Sequence, residues 1–218
     1  MDPISLLVDF ILHLDKNLDI MIQSYGIWTY VILFVIVFCE TGLVAFPFLP
    51  GDSLIFAASA LTVSLGSFNM FWLWVVFVTA AFVGDTANYW IGYYIGPKIF
   101  TKENVRFLKK EYLDRAHIFY EKHGGKTIVL ARFIPIIRTF APFVAGIGKM
   151  NYFKFMVYNI SGGIVWVSLF LGAGYFFGNV PIVKDNFTLV VLAIIIITLI
   201  PPFAEFYRHW RKKRPTQS

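Results

Sequence analysis

The chain has 218 residues, of which 58% are hydrophobic, 19% are aromatic and only 15% are charged. Soluble domains are usually about half apolar and about one quarter charged, so this composition excludes an ordinary soluble domain and favours a membrane protein. The single cysteine, Cys39, excludes an internal disulfide and a cysteine-cluster metal site, and we interpret the net charge of +6 as loop topology rather than nucleic-acid binding.

The first segments predict a surface helix followed by a broken hairpin. Residues 1–25 show amphipathic helical spacing, which predicts an interfacial helix lying along the membrane. Residues 27–66 hold two short apolar runs separated by a Pro/Gly break at 46–52. Each run is shorter than the roughly twenty residues that a spanning helix needs, so a re-entrant hairpin is predicted. Two ordinary spanning helices joined by a tight turn are the alternative.

The middle of the chain alternates between an apolar and a polar segment. Residues 68–97 are long enough to cross a membrane, are interrupted by Asp85 and Asn88, and are expected to end at Pro97. Residues 98–126 contain eight Lys or Arg and four Asp or Glu. Apolar side chains punctuate that segment, which predicts an amphipathic segment on the cytoplasmic surface.

A second irregular segment follows at residues 127–148, which contain Pro135, Pro142, Arg132 and Arg138. In a lipid-facing span the prolines would leave backbone groups without partners, and each arginine would cost several kcal/mol. A hairpin that is buried in protein or lines a wet cavity avoids both problems. The sequence therefore predicts a second re-entrant hairpin here.

The remaining segments complete the predicted fold. Residues 155–177 and 187–207 predict two full spans, and 208–218 form a basic cytoplasmic tail. Similar Gly-aromatic ends at 92–96 and 174–178 suggest an internal repeat. We predict a single all-α polytopic membrane domain of two inverted repeats, each a re-entrant broken-helix hairpin plus a long transmembrane helix. An additional C-terminal transmembrane helix and amphipathic surface helices complete it.

Charged residues are divided between the two hairpins by sign. The first hairpin carries only the acids Glu40 and Asp52, and the second carries only Arg132 and Arg138. If the hairpin tips meet inside the membrane, these charges can compensate one another. Buried ion pairs are poor net stabilisers, whereas ionisable groups within a membrane are functional candidates. We therefore favour a functional role for all four residues over a purely structural one.

Several motifs in the chain match one family. They are Cys39-Glu40-Thr41-Gly42-Leu43, Phe48-Leu49-Pro50-Gly51-Asp52-Ser53, Gly84-Asp85 with Asn88-Tyr89 and Gly92, and the block 120–146 that contains Arg132-Phe133-Ile134-Pro135-Ile136-Ile137-Arg138. With these motifs the chain resembles the DedA family, also described as having a SNARE-associated or VTT domain, over nearly its whole length. The resemblance implies a multi-pass lipid transporter of the bacterial cytoplasmic (inner) membrane. Members are associated with returning undecaprenyl phosphate to the cytoplasmic face, and some are linked to the proton motive force.

The resemblance assigns the family's functional acids and arginines to Glu40, Asp52, Arg132 and Arg138. The chemistry of these residues agrees, because arginine binds phosphate bidentately and a buried carboxyl can take up a proton. We predict that Arg132 and Arg138 bind the substrate and that Glu40 and Asp52 couple transport to protons. Asp85 and Asn88 either extend a polar path or hydrogen-bond neighbouring helices; the sequence favours neither interpretation.

The predicted function is flippase-like or scramblase-like transport of undecaprenyl phosphate or a related anionic phospholipid, with proton coupling as a hypothesis. The alternative is a proton-coupled transporter of small ions or cationic compounds. An intramembrane phosphatase and a purely structural protein are further candidates. No hydrolase, nucleotide-binding or His-rich metal motif is present, so no enzymatic activity, cofactor, metal or nucleic-acid partner is expected. Assembly into homo-oligomers is left open.

Orientation provides the first testable prediction. Of the nineteen Lys and Arg residues, fifteen lie in 98–126, at Lys149 and Lys154, or from Arg208 onward. Basic loops face the cytoplasm, so reporter fusions should place the tail in the cytoplasm and residues 1–25 outside. A reporter after Lys212 that reads as extracellular would reverse the orientation of both hairpins.

Overall fold

A computed structural model of the chain describes residues 24–43, 51–65, 68–100, 124–178 and 180–181, together with the isolated residues 190 and 193. Within these residues every regular element is a helix and no strand is formed. The helices are α1 (Trp28–Gly42), α2 (Gly51–Leu65), α3 (Met70–Phe100), α4 (Lys126–Ala131), α5 (Pro135–Ile147) and α6 (Tyr152–Phe177).

Several predicted segments lie largely or wholly outside the described residues. They are the surface helix at 1–25, the surface segment at 98–126, the last span at 187–207 and the tail at 208–218. Their assignments therefore stay predictions.

Two helices, α3 and α6, are long and apolar enough to cross a membrane. They have 31 and 26 residues, so they are about 46 Å and about 39 Å long. The spans predicted at 68–97 and 155–177 coincide with them. The part of α3 that can span a membrane is Met70–Ile95, which ends close to the predicted end of the span at Pro97, and the helix itself runs on to Phe100.

The remaining helices are short. Helices α1 and α2 have 15 residues each, α5 has 13 and α4 has 6, so none reaches the length of about twenty residues that crosses a bilayer. Short legs were predicted for the first hairpin, and the second hairpin has them as well. The turn at 44–50 is not among the described residues, and the re-entrant paths of both hairpins stay predictions. Helix α2 begins at Gly51, inside the predicted Pro/Gly break at 46–52, which places Asp52 in its first turn.

The two halves of the chain exchange their second short helices. Helix α1 packs on α3 and helix α4 packs on α6, so each first short helix contacts the long helix of its own half. Helix α2 packs mainly on α6 and helix α5 mainly on α3, so each second short helix contacts the long helix of the other half. A two-fold repeat would produce this reciprocal arrangement, which is consistent with the predicted repeat.

Glycines on the long helices make room for the short ones. On α3, a Cβ at Gly84 would collide with α1, and a Cβ at Gly92 would collide with the backbone of α5 at Phe143. On α6, a Cβ at Gly162 would crowd α4, and one at Gly174 would collide with the backbone of α2. Each long helix therefore has one glycine where a short helix of its own half packs closely. A second glycine, farther along, lies where the short helix of the other half packs closely.

Apolar packing surrounds these crossings. Leu33, Ile55, Phe77 and Trp166 are fully buried and join α1, α2, α3 and α6 in one core cluster. Tyr89 forms the centre of a second, aromatic cluster, and its hydroxyl donates to the Met150 carbonyl over 2.5 Å. The core therefore runs across both halves and does not divide between them.

The glycine crossing at α3 and α5 can be tested against a matched control. Gly92→Ala should lower the free energy of unfolding by about 1–3 kcal/mol, because the added methyl group forces α3 and α5 apart. Gly172→Ala places the same methyl group on α6 where no atom lies within 4 Å. It should leave stability unchanged or raise it, since alanine favours helix over glycine. Thermal unfolding in detergent measures both, and equal effects would refute the close approach.

Candidate functional site

Buried charges converge where the short helices begin and end. Glu40 lies in the last turn of α1, Asp52 in the first turn of α2 and Arg138 in the first turn of α5, and all three side chains are buried. The Arg138 Nη1 donates to Asp52 Oδ1 over 2.6 Å, and its Nη2 donates to Glu40 Oε1. One guanidinium therefore bridges both acids of the first predicted hairpin, as charge compensation between the hairpins requires.

Trp166 completes this group, which we call the Arg138 cluster (Glu40, Asp52, Arg138 and Trp166). Its indole Nε1 donates to Asp52 Oδ1 over 3.0 Å. The Arg138 guanidinium carbon lies over the same ring, 4.9 Å from its centroid, within the range of a cation–π interaction. Trp166 is fully buried on α6. The sequence analysis missed it, because a tryptophan in an apolar span looks like any other core residue.

Arg132 belongs to a separate group, the Arg132 cluster (Asp85, Arg132 and Asn159). Arg132 is the C-cap of α4 and is buried. Its Nη2 donates to Asp85 Oδ2 on α3 and to Asn159 Oδ1 on α6. The acid that neutralises Arg132 thus comes from a long helix and not from the first hairpin. Asn159 was missed, although an amide inside a predicted span is a signal of buried polar function.

Asn88 has a different environment from Asp85. Its Nδ2 donates to the Thr41 carbonyl over 3.2 Å and to the Thr139 carbonyl over 2.6 Å. These bonds join α3 to α1 and α5. Of the two interpretations that the sequence left open, the structure contains hydrogen bonds from Asn88 to neighbouring helices. A role of Asp85 and Asn88 in a polar path stays a prediction.

Helix dipoles explain part of the arrangement. Asp52 at the start of α2 and Arg132 at the end of α4 lie at the helix ends that favour their charges. Glu40 at the end of α1 and Arg138 at the start of α5 lie at the ends that disfavour theirs. These last two residues contact each other, so each offsets the other's unfavourable position.

Part of the donor capacity in the site is unused. Arg132 Nε and Nη1 and Arg138 Nε are buried and find no hydrogen-bond partner among the described residues. Within the same residues, no three His, Cys, Asp or Glu side chains converge to hold a metal ion. The arrangement can therefore offer N–H donors to an anion.

The fold and site define a helical membrane protein whose buried charges lie at breaks between short helices. The VTT domain model matches residues 49–176. Protein DedA of Escherichia coli K12 is 52% identical over 212 residues, which cover 97% of either chain. The chain therefore belongs to the DedA family of VTT-domain membrane proteins, which confirms the resemblance in its motifs.

More distant relatives agree with this assignment. An uncharacterized membrane protein of Mycobacterium tuberculosis H37Rv is 44% identical over 183 residues, or 84% of this chain and 80% of the relative. Inner membrane protein YqjA of E. coli K12 is 33% identical over 153 residues, or 70% of this chain and 69% of the relative. No solved structure matches the chain.

The indole hydrogen bond in the Arg138 cluster can be tested with a pair of tryptophans. Trp166→Phe keeps an aromatic ring beside Arg138 but leaves buried Asp52 without the indole donor, so stability should fall by about 1–3 kcal/mol. Trp74→Phe makes the same change in a half-buried ring and removes an exposed indole bond to Ser168 Oγ, so it should cost about 1 kcal/mol less than Trp166→Phe. Thermal unfolding compares the two variants. Similar losses would show that the indole bond to Asp52 contributes no more stability than the indole bond to Ser168.

Proposed function

We propose that this protein moves an anionic lipid phosphate, undecaprenyl phosphate or a related anionic phospholipid, between the leaflets of the bacterial cytoplasmic membrane, and that protons drive or gate the movement. One observation carries the proposal. Three carboxyls and two guanidiniums are buried together between the two halves of a protein otherwise rich in apolar helices. Membership of a family that includes an inner membrane protein supports the location.

The guanidiniums suit a phosphate headgroup. Arginine stays protonated and presents a planar set of N–H donors that matches two phosphate oxygens at once. Helices α2 and α5 also begin at Gly51 and Pro135, close to the cluster, and helix N-termini attract anions. A phosphate that leaves water for this site would exchange its hydration for these donors.

The carboxyls suit proton exchange. With Glu40, Asp52 and Asp85 all ionised against two arginines, the buried site has one excess negative charge. An uncompensated charge away from water is costly, so uptake of one proton would stabilise the site. A proton on Glu40 or Asp52 would also weaken the hold of that acid on Arg138. Protonation then frees the guanidinium for phosphate, and phosphate release lets the carboxylate return.

The ion pairs lie where an alternating mechanism would need them. Arg138 pairs with Glu40 and Asp52, and Arg132 pairs with Asp85, so each of these described pairs joins the second half of the chain to the first. In transporters built from inverted repeats, one repeat rocks against the other around a site at their interface. Rocking of the halves here would break and remake these same pairs.

A small cation is the second candidate substrate, and one observation favours it. The same excess carboxyl that would take up a proton would also attract a cation. The two arginines oppose a cationic ligand, so we rank lipid phosphate first.

A leaflet-exchange assay separates these functions. Purified protein in liposomes should speed the movement of undecaprenyl phosphate between leaflets, compared with a zwitterionic lipid and a small cation tested in parallel. Movement of the cation alone would replace our proposal with the second candidate, and released inorganic phosphate would indicate a phosphatase. If none of the three substrates moves in folded protein, a structural role would be the better account.

The pH dependence of the same assay tests the role of the acids. Wild-type movement should speed up as the pH falls, because protonated carboxyls release Arg138. Glu40→Gln keeps the side chain's shape but removes a titrating group, so the rate should depend less on pH. An unchanged pH profile in Glu40→Gln and Asp52→Asn alike would exclude both acids from proton coupling.

A further inference from the structure

We infer that the two arginines have different tasks, and that Arg132, positioned by Asn159, is the guanidinium that receives the lipid phosphate first. The inference rests on the proposed function and adds an order in which the two arginines bind the phosphate. In this assignment Arg138 cannot bind the ligand until Glu40 or Asp52 gives up its hydrogen bond to the guanidinium. The three observations that carry it are the unequal use of the two guanidiniums, the unequal charge around them and the contacts of Asn159.

The guanidinium of Arg138 is nearly saturated. Nη1 donates to Asp52, Nη2 donates to Glu40, and one face of the group lies on the Trp166 ring. Only its Nε lacks a partner among the described residues. A phosphate reaching Arg138 would have to displace a carboxylate, and two carboxylates around one guanidinium give this cluster an excess negative charge that repels an anion.

Arg132 is held at one corner only. Nη2 donates to both Asp85 and Asn159, whereas Nη1 and Nε have no partner in the part of the chain that the structure describes. Asn159 is a neutral amide, so a single carboxylate balances this arginine. Its surroundings are therefore less hostile to an anion than those of Arg138, and its unused N–H groups provide the donors that a phosphate needs.

Asn159 has the contacts of a positioning residue. Its Oδ1 accepts from Arg132, and its Nδ2 donates to the Phe82 carbonyl on α3 over 3.2 Å. The amide is thus fixed between α3 and α6 and holds Arg132 without cancelling its charge. Gly162, three residues farther along α6, lets the arginine lie against the helix, because a Cβ there would come within 3.1 Å of the Arg132 Cδ.

Binding of farnesyl phosphate, with farnesol as the uncharged control, tests the division of tasks. The full chain in phosphatidylcholine nanodiscs is titrated by calorimetry with each ligand. Arg132→Lys should weaken farnesyl phosphate binding at least about tenfold relative to farnesol, because the charge stays but the fork is lost. Arg138→Lys should weaken it less than about threefold, although leaflet movement of undecaprenyl phosphate should stop.

Asn159 is tested through the ratio of the two affinities. Asn159→Leu should lower the preference for farnesyl phosphate over farnesol about threefold or more, whereas a purely structural loss would weaken both ligands alike. Asn159→Asp keeps the shape and the accepting oxygen, so it remains informative if the leucine variant fails to fold. It should lower the preference at least as far, because it adds a negative charge beside Arg132. Ser168→Ala, on the exposed face of α6, is the matched control.

Failure of the inference differs from failure of the proposed function. If Arg138→Lys loses as much phosphate affinity as Arg132→Lys, or more, the division of tasks is wrong while lipid-phosphate binding stands. An unchanged affinity ratio in both folded Asn159 variants would remove the positioning role. If the wild-type protein prefers farnesyl phosphate no more than farnesol, the anion site itself fails, and the inference fails with it.

Discussion

A charge placed away from water needs a partner, and Arg132 and Arg138 each find acidic partners in the other half of the molecule. The rest of the structure depends on that constraint. Glu40, Asp52, Arg132 and Arg138 all lie in the first or last turns of the short helices, or at a cap, so the pairs are made where these helices begin and end. A buried pair contributes little net stability compared with apolar packing. Removing one member is nevertheless strongly destabilising, because it leaves a buried charge without a partner. The network is therefore better suited to switching between arrangements than to strengthening one.

The packing of the exchanged short helices α2 and α5 is linked to this network of ion pairs. Each second short helix lies on the long helix of the other half, so the proposed rocking of the halves would alter both helix packing and ion pairing at once. Asn88 adds a neutral link, since it bonds to the backbone of both α1 and α5. Close packing at Gly92 and Gly174 favours discrete arrangements over gradual deformation, because helices in van der Waals contact with backbone cannot slide smoothly.

Much of this architecture could be predicted from the order of breakers and charges. Proline and glycine mark the breaks, apolar length marks the two long helices, and the separation of acids from arginines predicts that the hairpins meet. The pairing of Arg132 with Asp85 could not be predicted, because Asp85 and Asn88 mark a polar face of α3 but do not indicate which buried arginine that face meets. The contacts of Trp166 and Asn159 could not be predicted either, because the sequence does not indicate how α6 is rotated about its axis. The starting residue of α2 and the passage of α3 through Pro97 are boundary details that tertiary packing decides.

The burial of α2 has a consequence for how the protein is made. The first eleven residues of this helix, 51–61, are all buried, and their main packing surface is α6, which begins only at Tyr152. During synthesis α2 therefore leaves the ribosome long before its partner exists. Until then the small and apolar residues of α2 contact lipid or the insertion machinery. Asp52 lacks both of its partners, Arg138 and Trp166, during this time. Docking of α2 is thus a late event that waits for the second half, whereas α1 and α3 can pack as soon as both are made, and a chain that ends after α3 would leave the surface of α2 unburied.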